Sequence, residues 1–385
     1  MKTLKIGLLT KILTAIGLGI AAGLAVPESI ARIFVTFNGI FSQFLGFIIP
    51  LIIVALVTTA IADIGNKAGK MLLVTVAIAY GSTIFAGVVS YLTGASLFPS
   101  MIQSGGHLAS MSDSSALAPY FQVNIPPLMG VMTALVLAFT AGLGLASTQN
   151  ETLMKATHGF EEIMVKTIKA AIIPLLPLYI FGIFLDMAYV GKVFSILSLF
   201  IKIIGIIFLI HIGILLLQFL IAGSVTRKNP FRLLLNMLPA YFTALGTQSS
   251  AATIPVTLEQ TRKNGVSEDV AGFTVPLCAT IHMAGSTLKI VACALALMIM
   301  QGMPYDFGMF FGFVCMLGIT MIAAPGVPGG AIMASLGLLS SMLGFNEEAL
   351  GLMIALYIAM DSFGTACNVT GDGAIALIVD RIFKK

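Results

Sequence analysis

The chain has 385 residues, of which 58% are hydrophobic and only 9% are charged, and its mean hydropathy is +1.05. Soluble domains carry roughly 25% charged residues, so this composition excludes an ordinary soluble protein and indicates an integral membrane protein. The formal net charge of +4 carries no nucleic-acid signal, because the basic residues lie at the ends of apolar segments and form no single patch.

Eight apolar segments are long enough to cross a hydrocarbon core, which is about 30 Å thick and needs about 20 helical residues. These predicted spans are residues 6–26, 39–62, 71–98, 126–148, 169–190, 194–223, 266–301 and 347–380. The first segment can also be read as a signal peptide, because basic residues precede an apolar run that ends in small residues. We interpret it as a transmembrane helix, because Lys5 and Lys11 are spread along it.

The basic residues also predict how the spans are oriented. They occur near both chain ends and in the loops predicted to follow the second, fourth and sixth spans. By contrast, residues 99–122 contain no Lys or Arg and are expected to form an outer loop. Cytoplasmic loops carry an excess of these residues, so we expect both termini on the cytoplasmic side. Lys192 is the one mild exception to this pattern.

Two further apolar segments, residues 231–258 and 307–345, are interrupted by helix-breaking residues. The loops before and after these segments keep their predicted sides of the membrane only if each segment returns to the side from which it enters. Their predicted tips, TQSSAATIP at 247–255 and APGVPGGA at 324–331, are rich in Ser, Gly and Pro, which leave backbone amides free. The alternative for each segment is a kinked ordinary span. Because paired interrupted segments mark the binding site of inverted-repeat transporters, we expect two opposed re-entrant helical hairpins.

The last span carries a polar face. Asp361, Thr365, Asn368 and Asp372 are spaced by 4, 3 and 4 residues, so at about 100° per residue they lie on one side of a helix. A charged side chain near the bilayer centre costs roughly 2.5–3.5 kcal/mol and normally faces a cavity, an ion or a partner. The alternative is that these groups lie at helix interfaces, with Thr and Asn bonding backbone carbonyls. The whole stripe favours a substrate or cation site.

A second helix is predicted to break within CATIHMAGSTLK, residues 278–289. His282, Gly285 and Ser286 lie there between apolar halves, and unwound carbonyls at such a break can bind a cation. The role of Lys289 stays open at this point. Its ammonium either reaches the membrane interface or neutralises a nearby carboxylate.

These motifs resemble those of the dicarboxylate/amino acid:cation symporters, the glutamate and neutral amino acid transporter family. The resemblance covers nearly the full length and rests on QSSAATIPVT, HMAGS, GVPGG and DSFGTACNVTGD. It implies an all-α membrane protein with inverted repeats, eight transmembrane helices and two opposed hairpins. It also implies a symporter in the bacterial inner membrane, with sodium as coupling ion and no other cofactor. A channel and a membrane enzyme are the rival classes, but the chain has hairpin tips and no nucleophile motif or metal-ligand cluster.

The family fold further implies a homotrimer in which each protomer has a scaffold domain and a mobile transport domain. Residues 1–70 and 126–223 then belong mainly to the scaffold, and residues 71–98, 194–223 and 231–380 to the transport domain. The third and sixth helices are thereby assigned to the transport part. Movement of this part across the membrane gives elevator-type alternating access.

The resemblance also implies two sets of site residues, position by position. The substrate set is Ser249, Ser250, Ser286, Val327, Gly330, Asp361, Gly364, Thr365 and Asn368. The cation set is Asp372, Asn368, Cys278, Thr280, His282, Tyr80 and Thr83. Asp361 is expected to hold the substrate amino group, while Ser250 and Val327 match tip positions that hold its carboxylate through backbone amides.

Two departures from the family pattern bear on the substrate. Gly364 stands where many relatives for acidic substrates have an arginine, and Gln248 stands where some prokaryotic relatives have another. Without a cation at either position, a dicarboxylate would bury an unpaired charge. We therefore expect a small neutral amino acid such as serine, threonine or alanine. Acidic amino acids, C4-dicarboxylates and cystine are the alternatives.

Two more departures bear on the ions. Ala284 replaces a carboxylate of the family's deep sodium site, and Ile84 falls where a serine ligand is common. That site is expected to be impaired, which leaves Asn368, Asp372 and nearby carbonyls for sodium. His282 offers a proton as well, because imidazole titrates near neutral pH. We expect fewer sodium ions per cycle than in relatives with both sites intact, with sodium acting alone or together with a proton.

Overall fold

The computed structural model describes residues 8–66, 69–103, 117–191, 193–324 and 328–383, and within these ranges its only regular secondary structure is helical. The helices are α1 (Leu8–Gly23), α2 (Glu28–Asn66), α3 (Lys70–Gln103), α4 (Val131–Thr148), α5 (Glu151–Thr167), α6 (Ile173–Tyr189), α7 (Val193–Thr226), α8 (Pro230–Asn236), α9 (Leu238–Thr247), α10 (Ser250–Lys263), α11 (Glu268–Ile281), α12 (Ala284–Met300), α13 (Phe307–Ile322), α14 (Gly330–Leu343), α15 (Glu347–Ala359) and α16 (Asp361–Phe383). The predicted all-α class is confirmed.

The described residues contain six helices that are long and apolar enough to cross a membrane, or seven if the bent pair α15–α16 is one span. The prediction was eight. The difference lies in the first segment, because α1 has 16 described residues, which at 1.5 Å per residue span about 24 Å.

The structure of the region after the fourth predicted span differs from the prediction. A basic loop was expected there, but α5 runs through a π-helical turn at Ile168–Ile172 directly into α6. The Asn150 side chain caps α5 by accepting from the Leu153 amide at 3.0 Å, and Lys155 pairs with Glu151 one turn away at 3.5 Å. Such local bonds stabilise a polar helix that hydropathy alone reads as a loop. Likewise, α3 continues through Pro99, where an outer loop was expected to begin.

Both interrupted segments contain two consecutive helices that pack against each other. In the first, α9 packs against α10 and the tip is reduced to Gln248 and Ser249. This tip is shorter than predicted because the Ser249 side chain caps α10, accepting from the Ala252 amide at 3.3 Å. In the second, α13 packs against α14 and the tip lies between them, with residues 325–327 outside the described ranges.

Two apolar segments are broken inside the protein. The break predicted within residues 278–289 is confirmed, because α11 ends before His282 and α12 begins after Met283. The other break is at Met360, where α15 and α16 meet at 61°. Gly364 and Gly371 lie within continuous α16, where their missing side chains allow groups of other helices to approach closely.

The helices pack so that one broken span lies at the centre. In its most apolar window the span made of α11 and α12 has 94% of its residues buried, against 28% for α4. Helix α12 packs against α3 and α16, and α16 also packs against α7, α9 and α11. On the other side of the molecule α2 packs along α4, and α1 along α6. Polar groups on α12 and α16 are therefore far from lipid and must find partners within the protein.

Helix α1 approaches α6 closely through two glycines. A Cβ atom on Gly19 would lie 2.5 Å from the Phe181 carbonyl oxygen, and one on Gly23 would overlap the Leu185 carbonyl. These contacts are with backbone atoms, which cannot rotate away. The small residues therefore set the distance between the two helices.

We predict that Gly19→Ala destabilises the protein, because overpacking against a backbone costs about 1–3 kcal/mol. The matched control is Gly17→Ala, since a Cβ atom on Gly17 meets nothing within 4 Å. This control should leave the unfolding temperature unchanged or raise it, because alanine favours helix over glycine. Thermal unfolding can be followed with a thiol-reactive dye, because Cys278, Cys293 and Cys367 are buried. Equal unfolding temperatures for the two variants would contradict the close α1–α6 contact.

Candidate functional site

A small cavity of about 30 Å³ lies between the first hairpin tip and α16. Four helices, α10, α12, α14 and α16, begin beside it, so their backbone N–H groups are directed towards one region. Hydroxyl, amide and carboxylate groups face each other across this small space. The lining residues are Gln248, Ser249, Ser250, Ala279, Met283, Ser286, Ala331, Tyr357, Asp361, Thr365 and Asn368.

Most of the predicted substrate set is brought together here. The members that line the cavity are Ser249, Ser250, Ser286, Asp361, Thr365 and Asn368. Gly330 is buried at the first residue of α14, beside Ala331 of the cavity wall. Gly364 lies on α16 but faces Lys289 and the Gly285 carbonyl instead of the cavity. Val327 lies outside the described residues.

Asp361 is buried, with 6% of its surface exposed, at the first residue of α16. Its Oδ2 atom accepts a hydrogen bond from the Gly329 amide at 2.8 Å, and its Oδ1 atom lies 3.9 Å from the Lys289 Nζ atom. The carboxylate thus joins the start of the second hairpin's α14 to α12. Both of its oxygens therefore face a positive or hydrogen-bond-donating group.

Asn368 connects α16 with the start of α12. Its Oδ1 atom accepts from the Gly285 amide at 2.7 Å, and its Nδ2 group donates to the Ser286 Oγ atom at 3.2 Å. The Tyr357 hydroxyl donates to the same Oγ atom at 3.0 Å. Tyr357 was not predicted as a site residue, because its only signal in the sequence is a phenol hydroxyl within an otherwise apolar run.

His282 contacts Asp372 at the helix break. Its Nδ1 atom lies 2.9 Å from Asp372 Oδ1 and 3.3 Å from the Asn368 carbonyl oxygen. Because both neighbours are acceptors, Nδ1 carries the proton and donates it. On the other side, Nε2 lies 3.1 Å from the Ser82 hydroxyl, which also accepts from the Gln218 amide at 2.9 Å. Ser82 therefore donates to Nε2, and this chain of polar groups fixes the imidazole plane.

Asp372 has an oxygen that fits a cation. Its side chain is 1% exposed, and its Oδ2 atom has no hydrogen-bond partner among the described residues. The Gln218 Oε1 atom is buried and unpartnered in the same way. Buried acceptors of this kind suit a sodium ion, which prefers oxygen ligands. Ser82 and Gln218 were not predicted, because the side chains that they contact lie on other helices.

The other predicted cation residues use their polar groups elsewhere. The Tyr80 hydroxyl donates to the Cys315 carbonyl at 3.0 Å, and the Thr83 hydroxyl donates to the Ala79 carbonyl at 2.9 Å. Thr280 is exposed and bonds within its own helix, so only its backbone carbonyl is available to a buried ion. The Cys278 carbonyl accepts from the His282 amide at 2.8 Å. Of the predicted set, Asn368, His282 and Asp372 are in direct contact.

Lys289 is buried with 1% of its surface exposed, so the alternative in which its ammonium reaches the membrane interface is wrong. Its Nζ atom donates to the Met360 carbonyl at 3.0 Å and lies 4.2 Å from the centre of the Tyr357 ring. Together with Asp361, these groups surround the ammonium with a carbonyl, a carboxylate and an aromatic face. The other alternative, neutralisation of a carboxylate, is the one that the geometry favours.

A larger cavity, of about 740 Å³, lies between α2, α6 and residues 117–124. It contains none of the predicted substrate or cation residues. We place the site at the smaller cavity, because four helix starts and the buried carboxylate of Asp361 converge there. The larger cavity has more volume, but a binding site also needs polar groups that converge on the ligand.

The chain is similar to known membrane transporters. The sodium:dicarboxylate symporter family matches residues 8–382. The serine/threonine transporter SstT of Acinetobacter baumannii (strain AYE) is 28% identical over 407 aligned positions, which cover 98% of this chain and 97% of that protein. The excitatory amino acid transporter 2 of Homo sapiens is 36% identical over 183 positions, covering 47% of this chain and 31% of that protein.

The family match spans the helix pairs α9–α10 and α13–α14, the broken helix and the polar face of α16, so it includes the whole candidate site. It identifies a membrane transporter and not an enzyme. The chain belongs to the sodium:dicarboxylate symporter family.

Proposed function

We propose that the protein is a secondary active symporter that couples inward movement of sodium, alone or with a proton, to uptake of a small neutral amino acid. It works as a multi-pass protein of the bacterial inner membrane with both termini in the cytoplasm. The observation that carries this proposal is the cavity wall, where hydroxyls and amides surround the one lining carboxylate, Asp361. The similarity to a serine/threonine transporter over nearly the whole chain supports it.

The substrate's two charges have separate partners in this site. The amino group binds Asp361, and the α-carboxylate lies at the start of α10, where backbone amides and the helix dipole favour an anion. Thr365 and Asn368, which line the cavity, would hydrogen-bond a hydroxyl on the substrate side chain. A cavity of about 30 Å³ is far smaller than the several hundred Å³ of ordinary ligand pockets, so an amino acid enters only when the hairpin tips separate. This supports gating by the second hairpin, whose Gly329 amide contacts Asp361.

Sodium would be held by Asp372 and by carbonyl oxygens beside it, including that of Asn368. When bound, it supplies the positive charge that the Asp372 Oδ2 atom otherwise lacks. Closure of the hairpins without this charge is disfavoured, because the carboxylate would stay buried and uncompensated. The deep site near Thr83 is impaired, since Ala284 offers no ligand. The cycle therefore uses fewer sodium ions than in relatives with both sites intact.

The domain assignment completes the mechanism. Residues 71–98, 194–223 and 231–380 form a transport domain that carries the site across the membrane in an elevator-type movement, against a scaffold within a homotrimer. The packing of α12 with α3 and α16, and of α2 with α4, supports this division. Both proposed binding sites lie within the transport domain, so they move together.

An acidic amino acid or C4-dicarboxylate is the second candidate, and one observation favours it. Lys289 is a buried cation near the cavity. Its ammonium, however, faces the Met360 carbonyl and the Tyr357 ring and does not line the cavity wall. A second carboxylate on the substrate would thus meet no free cation, so the neutral substrate is favoured.

We expect labelled serine to enter proteoliposomes when an inward sodium gradient is imposed. Unlabelled aspartate and succinate should compete about tenfold or more weakly than unlabelled serine, because each would bury an unpaired carboxylate. An imposed pH gradient, tested separately, measures the proton contribution. Competition by aspartate equal to that by serine would reject the neutral-substrate proposal and favour the acidic one.

We expect Asp372→Asn to raise the sodium concentration needed for half-maximal uptake by about tenfold or more, because a charged ligand is lost. The asparagine oxygen can still accept from His282, so the imidazole keeps its position. The matched control is Asp269→Asn, which removes an exposed carboxylate from α11. An unchanged sodium dependence in the Asp372 variant would refute the assignment of Asp372 as a cation ligand.

A further inference from the structure

Lys289 is a fully buried cation that the proposed binding of substrate and sodium does not use. It lies in the second turn of α12, a helix in which 16 of the 17 residues are buried. An isolated ammonium in such a place is costly, so its surroundings must stabilise it. The Met360 carbonyl, the Asp361 carboxylate and the Tyr357 ring provide that stabilisation.

The tip of Lys289 fits because residue 364 has no side chain. A Cβ atom on Gly364 would overlap both the Nζ and the Cε atoms of Lys289. The absence of a side chain at Gly364 therefore leaves the space in which the Lys289 ammonium lies. The two residues form a matched pair across the α12–α16 contact.

The same ammonium compensates Asp361 from within the chain. Its Nζ atom is 3.9 Å from Oδ1, while Oδ2 is held by the Gly329 amide at 2.8 Å. Asp361 is also the residue to which we assign the substrate amino group, so this step rests on the proposed function. A bound amino group would bring its own positive charge to the carboxylate. Without it, Lys289 and the start of α14 are the groups that remain to compensate Asp361.

We propose that Lys289 is a tethered counter-ion of Asp361 for the part of the cycle in which no substrate amino group is bound. It lets the unloaded transport domain close and return across the membrane without burying an uncompensated carboxylate. Lys289 is thus a positioning residue that acts through Asp361. It serves the return of the unloaded carrier, whereas loaded movement relies on the substrate's own charge.

The test compares two transport modes of the full-length protein in proteoliposomes. Net uptake into vesicles that contain no substrate requires return of the unloaded carrier, whereas exchange with unlabelled serine inside the vesicles does not. In Lys289→Met we expect net uptake to fall about tenfold or more and exchange to fall less than about threefold. Leu288→Met, a fully buried apolar change on the same helix, is the control and should leave the ratio of the two modes unchanged.

Each outcome decides between the two proposals. An equal fall in both modes, or no fall in either, would overturn the counter-ion role. If the wild-type protein takes up aspartate but not serine, the neutral-substrate proposal fails, and the same comparison made with aspartate still tests Lys289. Uptake of succinate alone would overturn both proposals, because no amino group would then replace Lys289 at Asp361.

The geometry is tested without transport by a double-mutant cycle. Gly364→Ala should lower the unfolding temperature of the detergent-solubilised protein when Lys289 is present. In the Lys289→Ala background the same change should lower it much less, because the overlapping atoms are gone. An equal decrease in both backgrounds would contradict the matched pair, even if Lys289→Met folds too poorly for reconstitution.

Discussion

Two carboxylates buried in the apolar interior, Asp361 and Asp372, impose the constraint on which the rest of the structure depends. They lie on one helix with 6% and 1% of their surfaces exposed, and each would be strongly destabilising without a compensating group. Compensation comes from one neighbouring segment, where Lys289 faces Asp361 and His282 faces Asp372. The contact between α12 and α16 is therefore electrostatic as well as steric, and glycines on α16 provide the room for it.

The helix breaks also provide backbone groups that form hydrogen bonds with the buried polar side chains. Wherever a helix starts inside the membrane, its first N–H groups need acceptors, because no water or lipid provides them. The Gly285 amide at the start of α12 is satisfied by Asn368, and the Gly329 amide just before α14 is satisfied by Asp361. Polar side chains on α16 thus accept hydrogen bonds from backbone amides that the interruptions elsewhere in the chain leave free. Either feature alone would leave unsatisfied polar groups in an apolar interior.

Asn368 gives a physical link between the proposed substrate site and the proposed cation site. Its side chain lines the cavity and bonds the start of α12, while its carbonyl lies 3.3 Å from the His282 ring beside Asp372. A shift of α16 that adjusts one site must therefore adjust the other. Coupling in a symporter requires such an energetic connection between two sites. Here it passes through one residue and one turn of helix.

The sequence by itself determined the membrane class, the two interrupted segments, the break near His282 and the polar face of α16, because hydropathy, helix breakers and periodicity are local properties of the chain. It did not reveal α5 as a helix, the continuity of α16 at Gly364, or Tyr357, Ser82 and Gln218 as partners. It also left Lys289 undecided between the membrane interface and a buried carboxylate. Only the tertiary structure decided these points, because the cost of a buried charge depends on which groups other helices bring within a few ångströms of it.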